Sequence, residues 1–293
     1  TSLSPNTEYT FAVKARNYDG TETLYSSTQS IYTLPDTPIL TAGTITSTQI
    51  GLTSSLPNIE VGTSGLYFDC TGTGCDTGIN EWIKDTSDTS TGLSPNTQYT
   101  FVVKGRNAQS VETVNSQSLN IYTLASVPTI SADTVSTNSI SFTIGNVANL
   151  TEGNSGVYID CLSTNCDSGI NEWVQTTSDV AIGLVPNSEY QFRIKARNAS
   201  GTETAYSDSI TVYTGAVAPD GIDTVSRSTE SLKVSIKSDT NSSSTEYAIL
   251  ETTTNKYVNY SNNTLSSSPV WGTRTDFGST EGILVTGLNA GVQ

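Results

Sequence analysis

The side chains with the most specific chemistry are four cysteines, which occur in two copies of one motif. Each copy reads Cys-x4-Cys-Asp-x-Gly-Ile-Asn-Glu-Trp, first at Cys70 and Cys75 and then at Cys161 and Cys166. The copies begin 91 residues apart, which favours a disulfide within each copy. The alternative is one metal site formed by all four thiols, although this spacing matches the usual zinc motifs poorly. Local disulfides would place the chain in an oxidising compartment.

Carboxylates beside these cysteines could supply oxygen ligands to a calcium ion. The candidates are Asp69 and Asp76 in the first copy, and Asp160 and Asp167 in the second. No EF-hand spacing is present, and Asp is equally an ordinary residue of tight turns. A calcium site and a purely structural turn both stay open, and no other cofactor or metal is predicted.

Catalytic chemistry has little support in the sequence. The chain contains no His, which is the commonest general base and metal ligand. No glycine-rich phosphate loop follows a strand and opens a helix, and the repeat pattern implies no pair of carboxylates facing one cleft. We therefore predict that the protein is not an enzyme.

Charge and hydropathy restrict the classes of partner. The formal net charge is −15, which argues against binding to nucleic acid or to an anionic membrane surface. There is no apolar run of 18 residues, so no membrane insertion is predicted within this segment. The hydrophobic content of 34%, including 14 Tyr, is sufficient to build packed cores.

Three near-copies of one segment organise the chain. The first two copies share the sequence Leu-Ser-Pro-Asn-Thr-x-Tyr-Thr-Phe, which contains Tyr9 in one and Tyr99 in the other, and a variant surrounds Tyr190. The tyrosines are 90 and 91 residues apart, which fits one small β-sandwich per repeat and is too long for a solenoid. Apolar and polar residues alternate through Tyr99, Phe101 and Val103. This period of two, with many β-branched residues, predicts an all-β fold.

The pattern Leu-x-Pro-x-Thr-x-Tyr resembles the tyrosine corner of fibronectin type III domains, with Ser188 replacing Thr in the third copy. The resemblance implies tandem fibronectin type III-like (immunoglobulin-like) β-sandwiches. It also implies that the hydroxyl groups of Tyr9, Tyr99 and Tyr190 bond back to the backbone.

Two further features refine this resemblance. The Trp that many members carry in strand B is absent, and the three tryptophans lie later, near strand C′: Trp82, Trp173 and Trp271. The amino-acid sequence of the repeats is also similar to that of very large bacterial cell-surface proteins from environmental genomes, including the candidate phyla. We therefore expect an extracellular or cell-surface location.

The repeats predict two complete fibronectin type III domains, 35–126 and 127–215, between two partial ones. Residues 1–34 correspond to strands F and G of one domain, and residues 216–293 to strands A to E of another. Two explanations stay open. Either neighbouring parts of a longer chain complete the partial domains, or strands F and G of one copy complete the A–E part of the next.

The expected function is structural: a cell-surface stalk or filament whose partners are other copies of itself or neighbouring repeats of the same chain. The alternative is an adhesin, or a carbohydrate-binding accessory module of a larger secreted protein, that meets a host or environmental surface through Tyr25, Tyr206 and Tyr260. Seven cations of the predicted F strands form either a solvated face with acidic partners or a docking stripe. They are Lys14, Arg16, Lys104, Arg106, Arg193, Lys195 and Arg197.

Overall fold

A computed structural model describes residues 2–72, 74–166 and 168–288 of the chain. All the regular structure in these residues is β-strand, as predicted, and they contain no helix long and apolar enough to cross a membrane. Packing divides the chain into two units. Unit one comprises Thr1–Val127, Asn146–Val157 and Lys195–Ala205; unit two comprises Pro128–Gly145, Tyr158–Ile194 and Tyr206–Gln293.

Seven antiparallel strands form the first complete sandwich, sandwich one, which lies in unit one. They are β3 (Thr41–Ile45), β4 (Gln49–Thr53), β5 (Gly65–Cys70), β6 (Trp82–Ile83), β7 (Ser87–Thr91), β8 (Gln98–Arg106) and β9 (Leu119–Tyr122). One sheet has the order β3-β4-β7 and the other β6-β5-β8-β9. These are the orders A-B-E and C′-C-F-G of a fibronectin type III-like sandwich.

The core of sandwich one follows from the period of two. In β8, Tyr99, Phe101 and Val103 are buried, whereas Thr100 and Lys104 are partly exposed. Two sheets that each bury one face must pack on each other, and this burial supplies most of the stabilisation.

Sandwich two repeats the same two sheets. Its strands are β10 (Thr129–Val135), β11 (Ser139–Gly145), β12 (Gly156–Cys161), β13 (Trp173–Val174), β14 (Ser178–Ile182), β15 (Glu189–Arg197) and β16 (Ile210–Tyr213). The orders are β10-β11-β14 and β13-β12-β15-β16. Phe142 and Phe192 meet edge-to-face, with ring centroids 4.7 Å apart.

The N-terminal segment forms a single hairpin of β1 (Glu8–Phe11) and β2 (Gln29–Tyr32). Although its sequence nearly repeats that of β8, β1 has four residues and β8 has nine. The extra length of β8, from Val102 to Arg106, pairs with β5 from Asp69 back to Gly65. Because β1 has no such neighbour among the described residues, only the part paired with β2 is a regular strand.

The C-terminal segment lies in unit two and contains three small sheets with the orders β17-β18-β24, β19-β23 and β20-β21-β22. The strands are β17 (Ile222–Arg227), β18 (Ser231–Ile236), β19 (Glu246–Tyr247), β20 (Leu250–Glu251), β21 (Lys256–Asn259), β22 (Thr264–Ser266), β23 (Gly272–Thr273) and β24 (Ile283–Thr286). Within the described residues, β19 and β20 each have a strand neighbour on one side only. Val234, Ile236, Phe277 and their neighbours form the core.

Candidate functional site: joints between repeats

The three repeated tyrosines fix the turn that precedes each F-type strand. The hydroxyl of Tyr9 accepts a hydrogen bond from the backbone N–H of Ser4 at 2.8 Å. Equivalent bonds run from Ser94 to Tyr99 at 2.9 Å and from Val185 to Tyr190 at 2.8 Å. Each bond spans five residues and closes the Pro-Asn turn between its ends, so this turn has one defined shape in all three repeats.

The asparagine of each Pro-Asn turn has a left-handed backbone. The φ angles are 44° at Asn6, 49° at Asn96 and 46° at Asn187. Asn adopts this region far more readily than most residues other than Gly. The turn places the amide of each asparagine against backbone and hydroxyl groups of residues more than 50 positions later. We call the bonds around Asn6, Asn96 and Asn187 joint one, joint two and joint three.

Joint two lies within unit one and holds Asn96 at 1% exposure. Its Nδ2 donates to the carbonyl oxygens of Ala148 at 2.8 Å and Asn149 at 3.0 Å, and to Ser155 Oγ at 3.0 Å. Its Oδ1 accepts the backbone N–H of Ala199 at 2.8 Å. The Nδ2 end of one buried amide therefore bonds to the loop before β12, and its Oδ1 end to the loop after β15, both in the next repeat.

The contact in joint two is reciprocal. Asn149, which also has a positive φ of 49°, donates its Nδ2 to the Asn96 carbonyl at 3.1 Å and to Thr97 Oγ1 at 3.0 Å. A further bond runs from Asn198 Nδ2 to the Thr123 carbonyl at 3.0 Å and is buried. Separating the two repeats would leave several buried polar groups without partners, which is costly.

Joint one has the same construction. Asn6, which is 0% exposed, donates to the Pro57 carbonyl at 2.6 Å and to Ser64 Oγ at 3.2 Å. Asn58 returns a bond to the Asn6 carbonyl at 2.9 Å. Asn107 Nδ2 donates to the Thr33 carbonyl at 3.3 Å, as Asn198 does in joint two.

Joint three lies within unit two and keeps only part of this set. Asn187 Nδ2 donates to Thr245 Oγ1 at 2.7 Å, so Thr245 takes the place of Ser64 and Ser155. The return bond comes from Ser242 Oγ, which donates to the Asn187 carbonyl at 2.6 Å. Asn187 is half-buried, whereas its two counterparts are fully buried. Joint three is therefore the most open of the three.

Sequence reasoning missed these asparagines. The signal that points to them is a Pro-Asn dipeptide in each repeat, followed 58 or 59 residues later by a hydroxyl residue. Neither feature identifies a contact by itself, because Pro-Asn is also a common turn dipeptide.

The cysteines form two local disulfides, Cys70–Cys75 and Cys161–Cys166, with Cα atoms 5.9 and 6.0 Å apart. All the described cysteines are paired. Each disulfide closes the turn that follows β5 or β12. In sandwich one, Ser90 Oγ donates to the Cys75 carbonyl at 2.6 Å and ties this loop to β7.

The C-terminal segment closes its corresponding turn with a carboxylate instead of a disulfide. Glu251 accepts hydrogen bonds from the backbone N–H groups of Thr253 at 2.6 Å and Thr254 at 2.8 Å, and from the Thr254 hydroxyl. These bonds, that of the Thr254 hydroxyl first, lower the pKa of Glu251 from 4.5 to about 2.

The calcium candidates have different surroundings in the structure. Asp76 lies near Cys70 and Cys75, but both sulfurs are used in the disulfide. Asp160 pairs with Arg193 at 2.7 Å, and Asp167 lies outside the described residues. Asp69 lies within β5. A calcium ion at these residues stays a prediction.

The three lysines among the cations of the F-type strands pair with acidic residues of their own repeat. Lys104 Nζ lies 2.7 Å from Glu112 and Lys195 Nζ lies 2.6 Å from Glu203, while Lys14 pairs with Glu22. The pairs are partly exposed and each contributes at most about 1 kcal/mol. This arrangement favours the solvated face over the docking stripe.

The tyrosines named for an adhesin are engaged within their own repeats. The Lys14 ammonium lies 5.2 Å from the Tyr25 ring centroid, and the Arg193 guanidinium lies 3.9 Å from that of Tyr206. Tyr260 packs edge-on against Phe277 with centroids 5.1 Å apart.

Two equivalent aspartates in the E-type strands are unusual. Burial raises the pKa of Asp88 in β7 and of Asp179 in β14. In each, Oδ2 is buried and has no hydrogen-bond partner among the described residues, while Oδ1 accepts the next backbone N–H. Neither lies at a joint.

No protein-family model and no curated protein matches the chain. Among solved structures, a two-domain fibronectin type III segment of chicken tenascin matches with 17% identity and a TM-score of 0.42, covering 61% of this chain and 100% of that one. The FN1–FN3 domains of chicken CNTN1 match with 14% identity and a TM-score of 0.32, covering 87% and 90%. The fold assignment rests on strand order: the chain is built of tandem fibronectin type III-like β-sandwiches.

Proposed function

We propose that this chain is a structural part of an extracellular stalk or filament, in which asparagine joints tie each repeat to the next. The observation that carries the proposal is joint two, where both ends of the Asn96 amide are bonded and buried. The partners of the chain are other copies of itself or neighbouring repeats of the same chain.

Buried polar joints suit a structural role for a physical reason. Domains in tandem move relative to one another unless their interface resists it. When a buried amide separates from its hydrogen-bond partners, each donor or acceptor that stays buried without a new partner destabilises the protein by about 1–3 kcal/mol. Asn96 and Asn149 supply such groups from both sides. Repetition at Asn6 applies the same restraint at the preceding joint.

An extracellular cell-surface location is consistent with these features. The two disulfides suit an oxidising environment, and charged residues make up only 14% of the chain. The similarity of the repeat sequences to those of large bacterial surface proteins supports a bacterial stalk in particular.

Small-angle X-ray scattering on the 293-residue chain, combined with urea unfolding, tests the role of joint two. Asn96→Gly removes the amide but tolerates the positive φ. We expect the variant to sample a wider range of particle dimensions and to lose about 1–3 kcal/mol of unfolding free energy. Asn255→Gly is the matched control, because Asn255 has a similar φ of 53° in an exposed turn.

A scattering curve of Asn96→Gly identical to that of the control would contradict the proposal. The same holds if the unmodified chain already scatters as a flexible string of independent domains. Either result would leave the sandwiches as separate modules, and the structural role would lose its support.

A further inference from the structure

Thr123 follows β9 and lies against the Pro-Asn turn that contains Asn96, where it is 0% exposed. Its hydroxyl donates a hydrogen bond to the Ser94 carbonyl at 2.7 Å and accepts one from the backbone N–H of Thr97 at 3.0 Å. Ser94 and Thr97 are the two ends of the turn. One buried hydroxyl, which can donate and accept at once, therefore holds both ends of the turn in which Asn96 lies.

The backbone of Thr123 connects the same turn to the next repeat. Its N–H donates to the Thr97 carbonyl at 3.1 Å, and its carbonyl accepts the buried bond from Asn198 Nδ2 at 3.0 Å. Asn198 closes the turn after β15, because its Oδ1 accepts the backbone N–H of Thr202 at 2.8 Å. Thr123 is thus bonded to one turn in each of the two repeats that joint two connects.

The same hydroxyl occurs at the other two Pro-Asn turns. Thr33 donates to the Ser4 carbonyl at 2.7 Å, and Thr214 donates to the Val185 carbonyl at 2.6 Å. Each hydroxyl also accepts a backbone N–H from the far end of its turn at 3.0 Å. The bonds to both ends of the turn are therefore a feature of all three repeats.

The turn needs this support because of the conformation of its asparagine. Asn96 has a φ of 49°, in a region that Asn adopts more readily than most residues but still uncommonly. A turn without fixed ends would populate other conformations, and these would move the amide away from its partners in the next repeat. One of those partners is the backbone N–H of Ala199, which donates to Asn96 Oδ1 at 2.8 Å.

We propose that Thr123 is the positioning residue of joint two. Its hydroxyl fixes the Pro-Asn turn so that the Asn96 amide meets the next repeat, although among the described residues this hydroxyl bonds only within sandwich one. Thr123 therefore acts on the bond between Asn96 and Ala199 without touching Ala199.

This inference rests on the proposed structural role, because it names the residue that sets joint two, but the two fail separately. The scattering comparison with Asn96→Gly measures whether joint two restrains the repeats. Exchange of the Ala199 N–H measures whether Thr123 acts on the bonds of that joint. An Ala199 N–H that does not respond to Thr123, together with a restrained joint two, would overturn this inference alone.

Amide hydrogen exchange, measured by NMR on the 293-residue chain, tests the proposal. In Thr123→Val the turn loses the hydroxyl, so we expect the Ala199 N–H to exchange about tenfold faster, which corresponds to roughly one lost hydrogen bond. Thr123→Ser keeps the hydroxyl and should restore slow exchange. Thr214→Val is the matched control, because it removes the equivalent hydroxyl in the third repeat, and it should leave Ala199 unchanged.

Two results with these variants would overturn the proposal. One is an Ala199 N–H that exchanges equally fast in Thr123→Val and in the unmodified chain. The other is equal acceleration in Thr123→Val and Thr214→Val, because the cause would then be general destabilisation and not the turn of joint two.

The unmodified chain provides a second test that does not depend on the folding of a variant. If the turn positions the joint, the turn cannot open while the joint stays closed. After correction for intrinsic rates, the Thr97 N–H, which bonds to the Thr123 hydroxyl, should exchange no faster than the Ala199 N–H. Exchange of Thr97 about tenfold faster than that of Ala199 would show a joint that holds without its turn, and would overturn the proposal.

Discussion

At the scale of single residues, the joint asparagines combine two properties. Asn96 takes a backbone conformation that most side chains avoid, and its amide is buried with bonds at both ends. The first property explains why Asn suits the turn, and the second explains why Gly would not replace it in the joint. Thr245 in joint three replaces the serine that accepts this bond in the other joints, whereas the donor is an asparagine amide in all three.

Asp88 is the residue whose replacement should stabilise the protein. Burial raises the pKa of this carboxyl, so the folded state holds the proton more tightly than the unfolded state does. The contribution of Asp88 to folding stability is therefore present below the unfolded pKa and is lost as pH rises through the raised folded pKa. We expect Asp88→Asn to raise the thermal unfolding temperature at pH 7 and to have little effect below pH about 3.8.

The control for this comparison is Asp133→Asn, which removes an exposed charge from β10. If the two variants shift the unfolding temperature equally at pH 7, general relief of the net negative charge, and not burial of Asp88, is responsible.

Glu251 should show the opposite pH dependence. Because the folded pKa is lowered to about 2 from 4.5, the contribution of Glu251 is complete above the unfolded value and is lost as pH falls toward 2. An NMR titration of the side-chain carboxyl should give a midpoint near 2. The stability difference between Glu251→Gln and the unmodified chain should shrink over the same range. A midpoint near 4.5, or an equal effect of Glu281→Gln, would contradict the role of this carboxylate in the turn.

At the scale of elements, the disulfides and the Glu251 turn are alternative ways of closing the same loop. A loop of about six residues gains on the order of 2 kcal/mol from a disulfide. We expect Cys161→Ala/Cys166→Ala to lower the unfolding free energy by about this amount and to expose 162–165 to proteases. The circular dichroism of the strands should be unchanged. Loss of the β-sheet spectrum would show that the disulfide supports the whole sandwich.

Strand patterns were predictable because each sandwich buries one face of each sheet. The alternation through Tyr99, Phe101 and Val103 gives β8 its buried face, and the same pattern gives β15 its own. The shortening of β1 was not predictable, because strand length here depends on a neighbour that lies far away in sequence. The joints were missed for the same reason: Asn96 and Ser155 are 59 positions apart, and only folding brings them together.

At the scale of the whole chain, the asparagine joint recurs three times, and the burial of its asparagine differs between the copies. Joints one and two use a fully buried asparagine and a returning asparagine amide. Joint three uses a half-buried asparagine and a returning serine hydroxyl. We therefore expect Asn187→Gly to loosen its joint less than Asn96→Gly loosens joint two. Urea unfolding of the two variants should show the smaller loss for Asn187→Gly, and a larger loss would contradict this ranking.

The most direct test of the central claim is a distance distribution across joint two. Spin labels on Gln117 and Asp208, both exposed, report on sandwich one and sandwich two by double electron–electron resonance. The account predicts one narrow distribution in the unmodified chain, a broad one in Asn96→Gly, and a narrow one in Asn255→Gly. A broad distribution in the unmodified chain, or a narrow one in Asn96→Gly, would contradict it.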